Sequence, residues 1–167
     1  LNASIISGIY GDILYYLNNS KTAQAFSTIV LNAGISTIYA DFVPTNSVYS
    51  GYTQATSLQV NKAPTSTLFA TSPTITYGQT PTLTSSGSMP GTFSYFTDAN
   101  FNNQVTESTI FNAGTHTIYS RLTPTSTNYA SSSDSKQLVV NKAATFITFP
   151  NITSILYGVT TGSTALA

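Results

Sequence analysis

Cysteine is absent from this chain of 167 residues, and charged residues make up only 6% of it. Small secreted domains often depend on disulfides, so each folded unit here must be stable through packing alone. The five lysine and arginine residues are too few for the clustered positive charge of a nucleic-acid-binding surface. No apolar run approaches the roughly 20 residues of a membrane-spanning helix. The sequence therefore predicts no nucleic-acid partner and no membrane span.

Residues that could perform catalysis are scarce and scattered. The single histidine is His116, and the five acids lie in different segments. Acid–base or nucleophilic catalysis needs titratable groups that converge on one point. Residues 98–102 have oxygen ligands at alternate positions, but they lack the glycine and the distal glutamate of a calcium loop, which favours a polar turn. We predict a protein that is not an enzyme, with no catalytic residue, no metal site and no cofactor.

What the chain does contain is a repeat at an offset of 80 residues, without a gap. Three motifs carry it: Asn-Ala-Gly at 32–34 and 112–114, Val-Asn-Lys-Ala at 60–63 and 140–143, and Tyr-Gly at 77–78 and 157–158. A fixed period indicates one structural unit used more than once. We divide the chain into an incomplete first unit (1–63), a complete second unit (64–143) and a C-terminal segment (144–167).

Each unit is built of short runs of Thr, Ile, Val, Tyr and Phe separated by Gly, Pro, Asn and Ser, a pattern typical of strands and turns. In the second unit we predict strands near 65–69, 74–77, 79–85, 91–97, 105–111, 115–123 and 134–141. Seven short strands favour a two-sheet antiparallel sandwich. The predicted fold is all-β: two tandem antiparallel β-sandwiches, the first lacking its opening strand, plus a C-terminal extra strand segment.

Alternation along the strands predicts which side chains face the core. The inward positions are Ile38, Leu58 and Val60 in the first unit and Ile118, Leu138 and Val140 in the second. On another strand Phe93 and Tyr95, and likewise Ile13 and Tyr15 in the first unit, share one face. Gly34 and Gly114 follow Asn-Ala, where a tight turn needs positive φ. Pro44 and Pro124 are expected to end the next strand, because proline cannot donate to the ladder.

Several motifs of the second unit together resemble the bacterial Ig-like domains found in tandem on microbial surface proteins. They are Tyr-Gly-Gln-Thr at 77–80, Pro-Gly-Thr-Phe at 90–93, Asn-Ala-Gly-Thr-His-Thr at 112–117, Thr-Pro-Thr at 123–125, Asn-Tyr at 128–129 and Val-Asn-Lys-Ala at 140–143. The resemblance covers the second unit and the later half of the first, whose early turn departs from it as Tyr10-Gly11-Asp12-Ile13. It implies an Ig-like fold, an extracellular or cell-surface location and a spacer or stalk role in adhesins and other exported proteins.

The phase of the repeat predicts how copies assemble. Residues 144–160 correspond to 64–80, and Leu1 corresponds to Pro81, so the first unit has no opening strand of its own. A sandwich without an edge strand exposes unpaired backbone groups and an open core. We expect the C-terminal segment to enter the first unit of another copy by strand addition, which gives an open head-to-tail filament. The expected donor residues are Phe146, Ile147, Phe149, Ile152, Ile155, Leu156 and Tyr157; the expected acceptor residues are Ile5, Ile13, Leu58 and Val60.

Three alternatives stay open. Residues 144–167 could begin a third domain of a longer covalent array in a surface adhesin, or fold back onto their own first unit. The chain could also be a carbohydrate- or cell-binding module, with cell-surface glycans as partners. In that case Tyr39 and Tyr119, which have outward parity beside threonines, are the candidate contacts; cross-strand packing on the outer face is the competing interpretation.

The remaining polar positions have simpler interpretations. Asn2, Asn18 and Asn151 each begin an Asn-X-Ser/Thr triplet and are candidate glycosylation sites. Asp41 and Arg121 occupy equivalent positions with opposite charge. We expect both to face outward as unpaired charges, with pairing between neighbouring units as the alternative.

Overall fold

A computed structural model describes residues 3–4, 8–149 and 157. Within those ranges the chain forms ten strands and no helix, so none of the described residues belongs to a helix long enough and apolar enough to cross a membrane. The strands are β1 (Gly11–Tyr16), β2 (Gly34–Pro44), β3 (Tyr52–Val60), β4 (Thr67–Thr71), β5 (Thr74–Thr76), β6 (Leu83–Gly87), β7 (Gly91–Phe96), β8 (Gln104–Val105), β9 (Gly114–Pro124) and β10 (Ser132–Asn141). The predicted all-β class is confirmed.

Three sheets make up the described part of the chain. The first unit has the sheet β1-β2-β3, and the second unit has the sheet β5-β10-β9-β7-β8 together with the ribbon β4-β6. The two large sheets share one register: Ile13 lies opposite Phe42 as Phe93 lies opposite Leu122, each pair offset by 80. The repeat seen in the sequence is therefore a repeat of strand pairing.

The core of the second unit lies between the β4-β6 ribbon, with β5 at the sheet edge, and the inner face of β7, β9 and β10. Its buried residues are Phe69, Ile75, Leu83, Val105, Phe111, Ile118, Leu138 and Val140. Phe69 comes from β4 and packs at 5.5 Å, ring centre to ring centre, against Tyr95. The strands that open the unit thus supply core side chains as well as covering the sheet, which gives the second unit a sandwich-like architecture.

The turns and strand ends follow the prediction at the repeated positions. Gly34 and Gly114 have φ values of 131° and 144°, a region that favours glycine. Both following strands end at a proline, Pro44 in β2 and Pro124 in β9.

The strand predicted over 105–111 is wrong, because β8 ends at Val105. Thr106 closes a turn with Thr109: the Thr109 amide donates to the Thr106 carbonyl at 3.0 Å, and the Thr106 amide donates to the Thr109 hydroxyl at 3.0 Å. Threonine hydroxyls offer the backbone a local partner that competes with the ladder. Val105 and Phe111 are nevertheless both buried, so this segment contributes core side chains without forming one strand.

The two units meet through a short backbone ladder and one amide side chain. The Ala63 amide donates to the Asn128 carbonyl at 2.9 Å, and the Ala130 amide donates to the Ala63 carbonyl at 2.8 Å. The Asn128 side chain accepts from the Ala33 amide at 2.8 Å and donates to the Asn32 side-chain oxygen at 3.0 Å. We call this contact the Asn128 clamp.

Candidate strand-acceptor face

The inner face of the β1-β2-β3 sheet is the candidate site, and we call it the acceptor face. It carries Ile13 and Tyr15 from β1, Ile38 and Ala40 from β2, and Leu58 and Val60 from β3, placed on one side by the pairing register. In the second unit the corresponding face is covered by β4 and β6 and extended by β5. Among residues 8–63 no strand takes the place of β4 or β5.

Equivalent leucines show how open the acceptor face is. Leu138 on β10 is 0% exposed, whereas Leu58 at the same position of β3 is 40% exposed. The neighbouring valines follow the same order, since Val140 is buried and Val60 is only half-buried. The cause is visible in the second unit, where β5 pairs in parallel with β10 and sets Ile75 beside Val140.

Ala3 touches the acceptor face much as Leu83 of β6 touches the sheet of the second unit. Ala3 is equivalent to Leu83, and its amide donates to the Tyr15 hydroxyl at 2.8 Å. In the second unit the equivalent Tyr95 hydroxyl donates to the Leu83 carbonyl at 3.1 Å. A cavity of about 230 Å³ remains on the acceptor face, lined by Ala3, Tyr15, Ile38, Ala40, Gln54, Ala55 and Thr56. Residues 3–4 and 8–63, the described part of the first unit, thus include no counterpart of β4 or β5, which in the second unit belong to the segment 64–80.

The C-terminal segment presents the side chains that such counterparts need. Phe146, Ile147 and Phe149 are 90%, 92% and 83% exposed, and Tyr157 is fully exposed. Phe149 is equivalent to Phe69, which is 1% exposed in the second unit. The other predicted donor residues, Ile152, Ile155 and Leu156, and the predicted acceptor residue Ile5 lie outside the described residues.

One pair of positions shows chemical matching between the segment and the acceptor face. In the second unit the Thr67 hydroxyl on β4 lies 2.7 Å from the Ser132 hydroxyl on β10. The equivalent positions carry Ile147 and Tyr52, and both side chains are largely exposed. A polar contact within the second unit thus corresponds to two uncovered side chains, Ile147 in the C-terminal segment and Tyr52 on β3.

Asp41 is not an unpaired charge facing solvent, so the prediction is wrong for Asp41. Asp41 is 7% exposed, and its Oδ1 accepts from Lys21 Nζ at 2.6 Å and from the Thr53 hydroxyl at 2.6 Å. In the second unit Arg121 instead lies over the ring of Phe101, 4.9 Å from its centre. Lys21 and Phe101 are equivalent loop residues with φ values of 58° and 60°. Asp41 is therefore paired with a cation of its own unit, whereas Arg121 has an aromatic contact within its own unit.

The two tyrosines singled out as surface contacts are half-buried. Tyr39 lies opposite Tyr16 across the β1-β2 pair, and Tyr119 lies opposite Phe96 across the β7-β9 pair. Cross-strand aromatic neighbours of this kind stabilise the outer face of a sheet.

Asn18 caps a loop. Its side-chain oxygen accepts from the amides of Thr22 and Ala23 at 3.0 and 3.2 Å, and its Nδ2 donates to the Thr22 hydroxyl at 2.7 Å. This Nδ2 is also the atom to which a glycan would attach. Asn2 and Asn151, the other candidate glycosylation sites, fall outside the described ranges.

Asp98, equivalent to Asn18, organises residues 98–102 as a turn. Its carboxylate accepts from the backbone amides of Asn100, Asn102 and Asn103, the shortest contact being 2.7 Å from Asn103. The hydrogen bond from the Asn103 amide is the main reason that the pKa of Asp98 is lowered. Within the described part of the chain no three His, Cys, Asp or Glu side chains are grouped so that they could hold a metal ion.

His116 is a half-buried residue near the start of β9. Its Nε2 lies 2.8 Å from the Asn112 carbonyl, and its ring lies 5.1 Å from that of Phe111. These contacts give His116 a structural role in holding the turn before β9.

No protein-family model matches the chain, and no curated protein is similar to it. The residues of the first unit are therefore compared with their equivalents in the second unit, 80 positions later.

Proposed function

We propose that the chain is a non-catalytic structural subunit of an extracellular filament or surface stalk, built of two tandem Ig-like β-sandwiches. Copies join head to tail when the C-terminal segment of one completes the first unit of the next. The observation that carries the proposal is the pair of equivalent leucines: Leu138 is fully covered and Leu58 is 40% exposed, which supports an added strand over the first unit.

The second unit serves as a template for the joined state. Residues 147–151 would lie as β4 does, so that Phe149 fills the acceptor face as Phe69 fills the core. Residues 154–156 would add in parallel to the edge of β3 as β5 adds to β10, which sets Ile155 beside Val60. In the second unit the Phe69 amide donates to the Asp134 carboxylate at 3.0 Å. Gln54 stands at the equivalent position of β3 and offers an amide oxygen to the Phe149 amide.

The apolar side chains of the segment supply enough free energy for this joining. Burying four or five large side chains contributes about 1.5–3 kcal/mol each, or roughly 6–15 kcal/mol before ordering costs are subtracted. Strand addition also provides backbone hydrogen bonds along the free edge of β3.

The placement of donor and acceptor decides the form of the assembly. The acceptor face lies in the first unit, and the donor segment follows the last strand of the second unit. Such a contact joins two different surfaces, so it is heterologous and continues without closing unless the rotation between copies happens to close a ring. An extended filament is the expected product.

The direct test compares the full chain with a variant that ends at Ala143. The full chain is expected to form filaments under the electron microscope, and the shortened variant is expected to stay as single particles. Equal filament formation by both would show that strand exchange is not the mechanism.

A covalent array of the same units is the second candidate, favoured by the ladder that already joins two units within one chain. Material isolated from its source and boiled in detergent separates the two. Strand-exchanged filaments are expected to fall to a species near 17.7 kDa, whereas a covalent array would not.

A further inference from the structure

The two surfaces that form the junction between the units each have an equivalent elsewhere in the chain. Those two equivalent surfaces do not contact each other within one chain. At the occupied junction Ala33 and residues 128–130 are half-buried. At the equivalent free positions Ala113 and Val48–Ser50 are exposed, with Val48 at 82%. The two surfaces are therefore covered at the junction inside the chain. Their equivalents, which only a second copy could bring together, are exposed.

The free loop already has the conformation of the occupied one. The Tyr49 amide donates to the Asn46 carbonyl at 3.1 Å, and the equivalent Tyr129 amide donates to the Ser126 carbonyl at 3.3 Å. In each loop the side-chain oxygen of that same residue also accepts from the amide two residues later: the Val48 amide donates to Asn46 and the Asn128 amide donates to Ser126. The loop is thus shaped before any partner arrives.

We propose that the free end of the second unit, Asn112, Ala113 and Ala143, docks on residues 48–50 of the first unit of the neighbouring copy. This inference rests on the proposed head-to-tail assembly and names its second contact. Ala143 would pair with the backbone of Val48 and Ser50, as Ala63 pairs with that of Asn128 and Ala130.

Val48 makes this junction chemically different from the one inside the chain. Valine replaces the amide of Asn128, so it has neither an oxygen for the Ala113 backbone amide nor a nitrogen for the Asn112 side chain. The contact that remains at this point is apolar, between Val48 and Ala113. A filament would therefore alternate between junctions that carry the Asn128 clamp and junctions that lack it.

Cross-linking tests the docking, because the chain has no cysteine of its own. In a Val48→Cys, Ala113→Cys variant, a short bismaleimide is expected to link neighbouring copies and to give a ladder of multiples of the subunit mass under reducing conditions. The control variant pairs Ala113→Cys with Val30→Cys, a 94% exposed position outside the contact, and is expected to give no ladder. Filaments without the ladder would overturn the docking and leave strand exchange standing.

A circular permutant keeps the inference testable if the full chain forms no filament. It places residues 64–160 before residues 1–63, which preserves the 80-residue phase and puts the second unit directly ahead of a completed first unit. The same cysteine pair is then expected to cross-link within one molecule, with no change in the number of chains. Absence of that intramolecular link would also overturn the docking.

Discussion

Leu58 and Leu138 are the same residue at equivalent positions, and they differ in what covers them. Leu138 packs beneath the strands that open its unit, whereas Leu58 retains 40% of its surface in contact with solvent. Burial by the rest of the chain, and not the side chain itself, decides how much each leucine contributes to stability.

This difference predicts unequal costs for one substitution. Leu138→Ala is expected to lower the free energy of unfolding of the second unit by about 3–5 kcal/mol, since it empties a fully packed site. Leu58→Ala is expected to cost about 1 kcal/mol in the unassembled subunit, because part of that side chain is already hydrated. Urea unfolding of both variants measures the difference, and equal losses would mean that Leu58 is already covered.

Asp41 predicts a dependence of stability on pH. Hydrogen bonds from Lys21 and then from Thr53 lower the pKa of its carboxyl below the ordinary 3.8. A carboxyl with a lowered folded-state pKa stabilises the fold above its unfolded pKa, and this contribution is lost as the pH falls through the folded value. Asp41 should therefore stabilise the first unit at neutral pH and progressively less below about pH 4.

The test is Asp41→Asn, with Asp12→Asn on the exposed side of β1 as its control. At pH 7 the Asp41 variant is expected to unfold at lower urea concentration than the parent, and the gap should narrow below about pH 4. Asp98 and Asp134 also have lowered pKa values, so both proteins keep some acid sensitivity. A gap that stays constant with pH would contradict the assigned role of the Lys21–Asp41 pair.

At the scale of elements, the C-terminal segment could bind the acceptor face of another copy in two ways. It could add in the register that β4 and β5 have in the second unit, or it could associate through its exposed apolar side chains without a defined register. Phe146 and Phe149 are both strongly exposed phenylalanines, but their counterparts in the second unit differ. Phe149 corresponds to the buried Phe69, whereas Phe146 corresponds to Ser66, which stays exposed beside β4.

Phe149→Ser is therefore expected to abolish filament formation, and Phe146→Ser is expected to leave it nearly unchanged. Both substitutions remove the same side chain, so they reduce non-specific association equally. Light scattering and electron microscopy at matched concentration give the comparison. Similar losses in the two variants would indicate association through unspecific apolar contact.

At the scale of the whole molecule, the circular permutant described above changes connectivity without changing the 80-residue phase. It joins Thr160 to Leu1, the counterparts of Thr80 and Pro81, so each unit then has its opening strands in its own chain. We expect a closed monomer in sedimentation and no filaments, because neither donor nor acceptor is left free. Its first unit should also unfold at higher urea concentration than that of the parent subunit, and polymerisation as ready as the parent's would contradict the proposal.

The Asn128 clamp predicts how the two units are held. Asn128→Ala removes the hydrogen bonds to Asn32 and Ala33 but keeps the backbone ladder of Ala63. Small-angle scattering of the chain ending at Ala143 is expected to show a broader distribution of dimensions, while unfolding of each unit changes little. An unchanged scattering curve would mean that the ladder alone fixes the junction.

The sequence by itself determined the features that depend on local patterns. The 80-residue period is visible in the repeated motifs themselves. Alternation gives the inward positions around Ile38 and Ile118, and backbone sterics give the glycine turns and the proline strand ends, because both act between near neighbours. The strand pairing then repeats at the same offset.

Only the tertiary structure decided which groups meet across long separations. It buried Asp41 against Lys21, ended β8 at Val105, set Ala3 against Tyr15 and placed Asn128 on Asn32. Alternation along a strand predicts the face of the sheet on which a side chain lies. Which loop or unit covers that side chain depends on packing between segments that are far apart in the sequence. The phase of the repeat predicted that Leu58 would be uncovered. Its exposed fraction follows only from the packing of the folded chain, where it can be compared with that of Leu138.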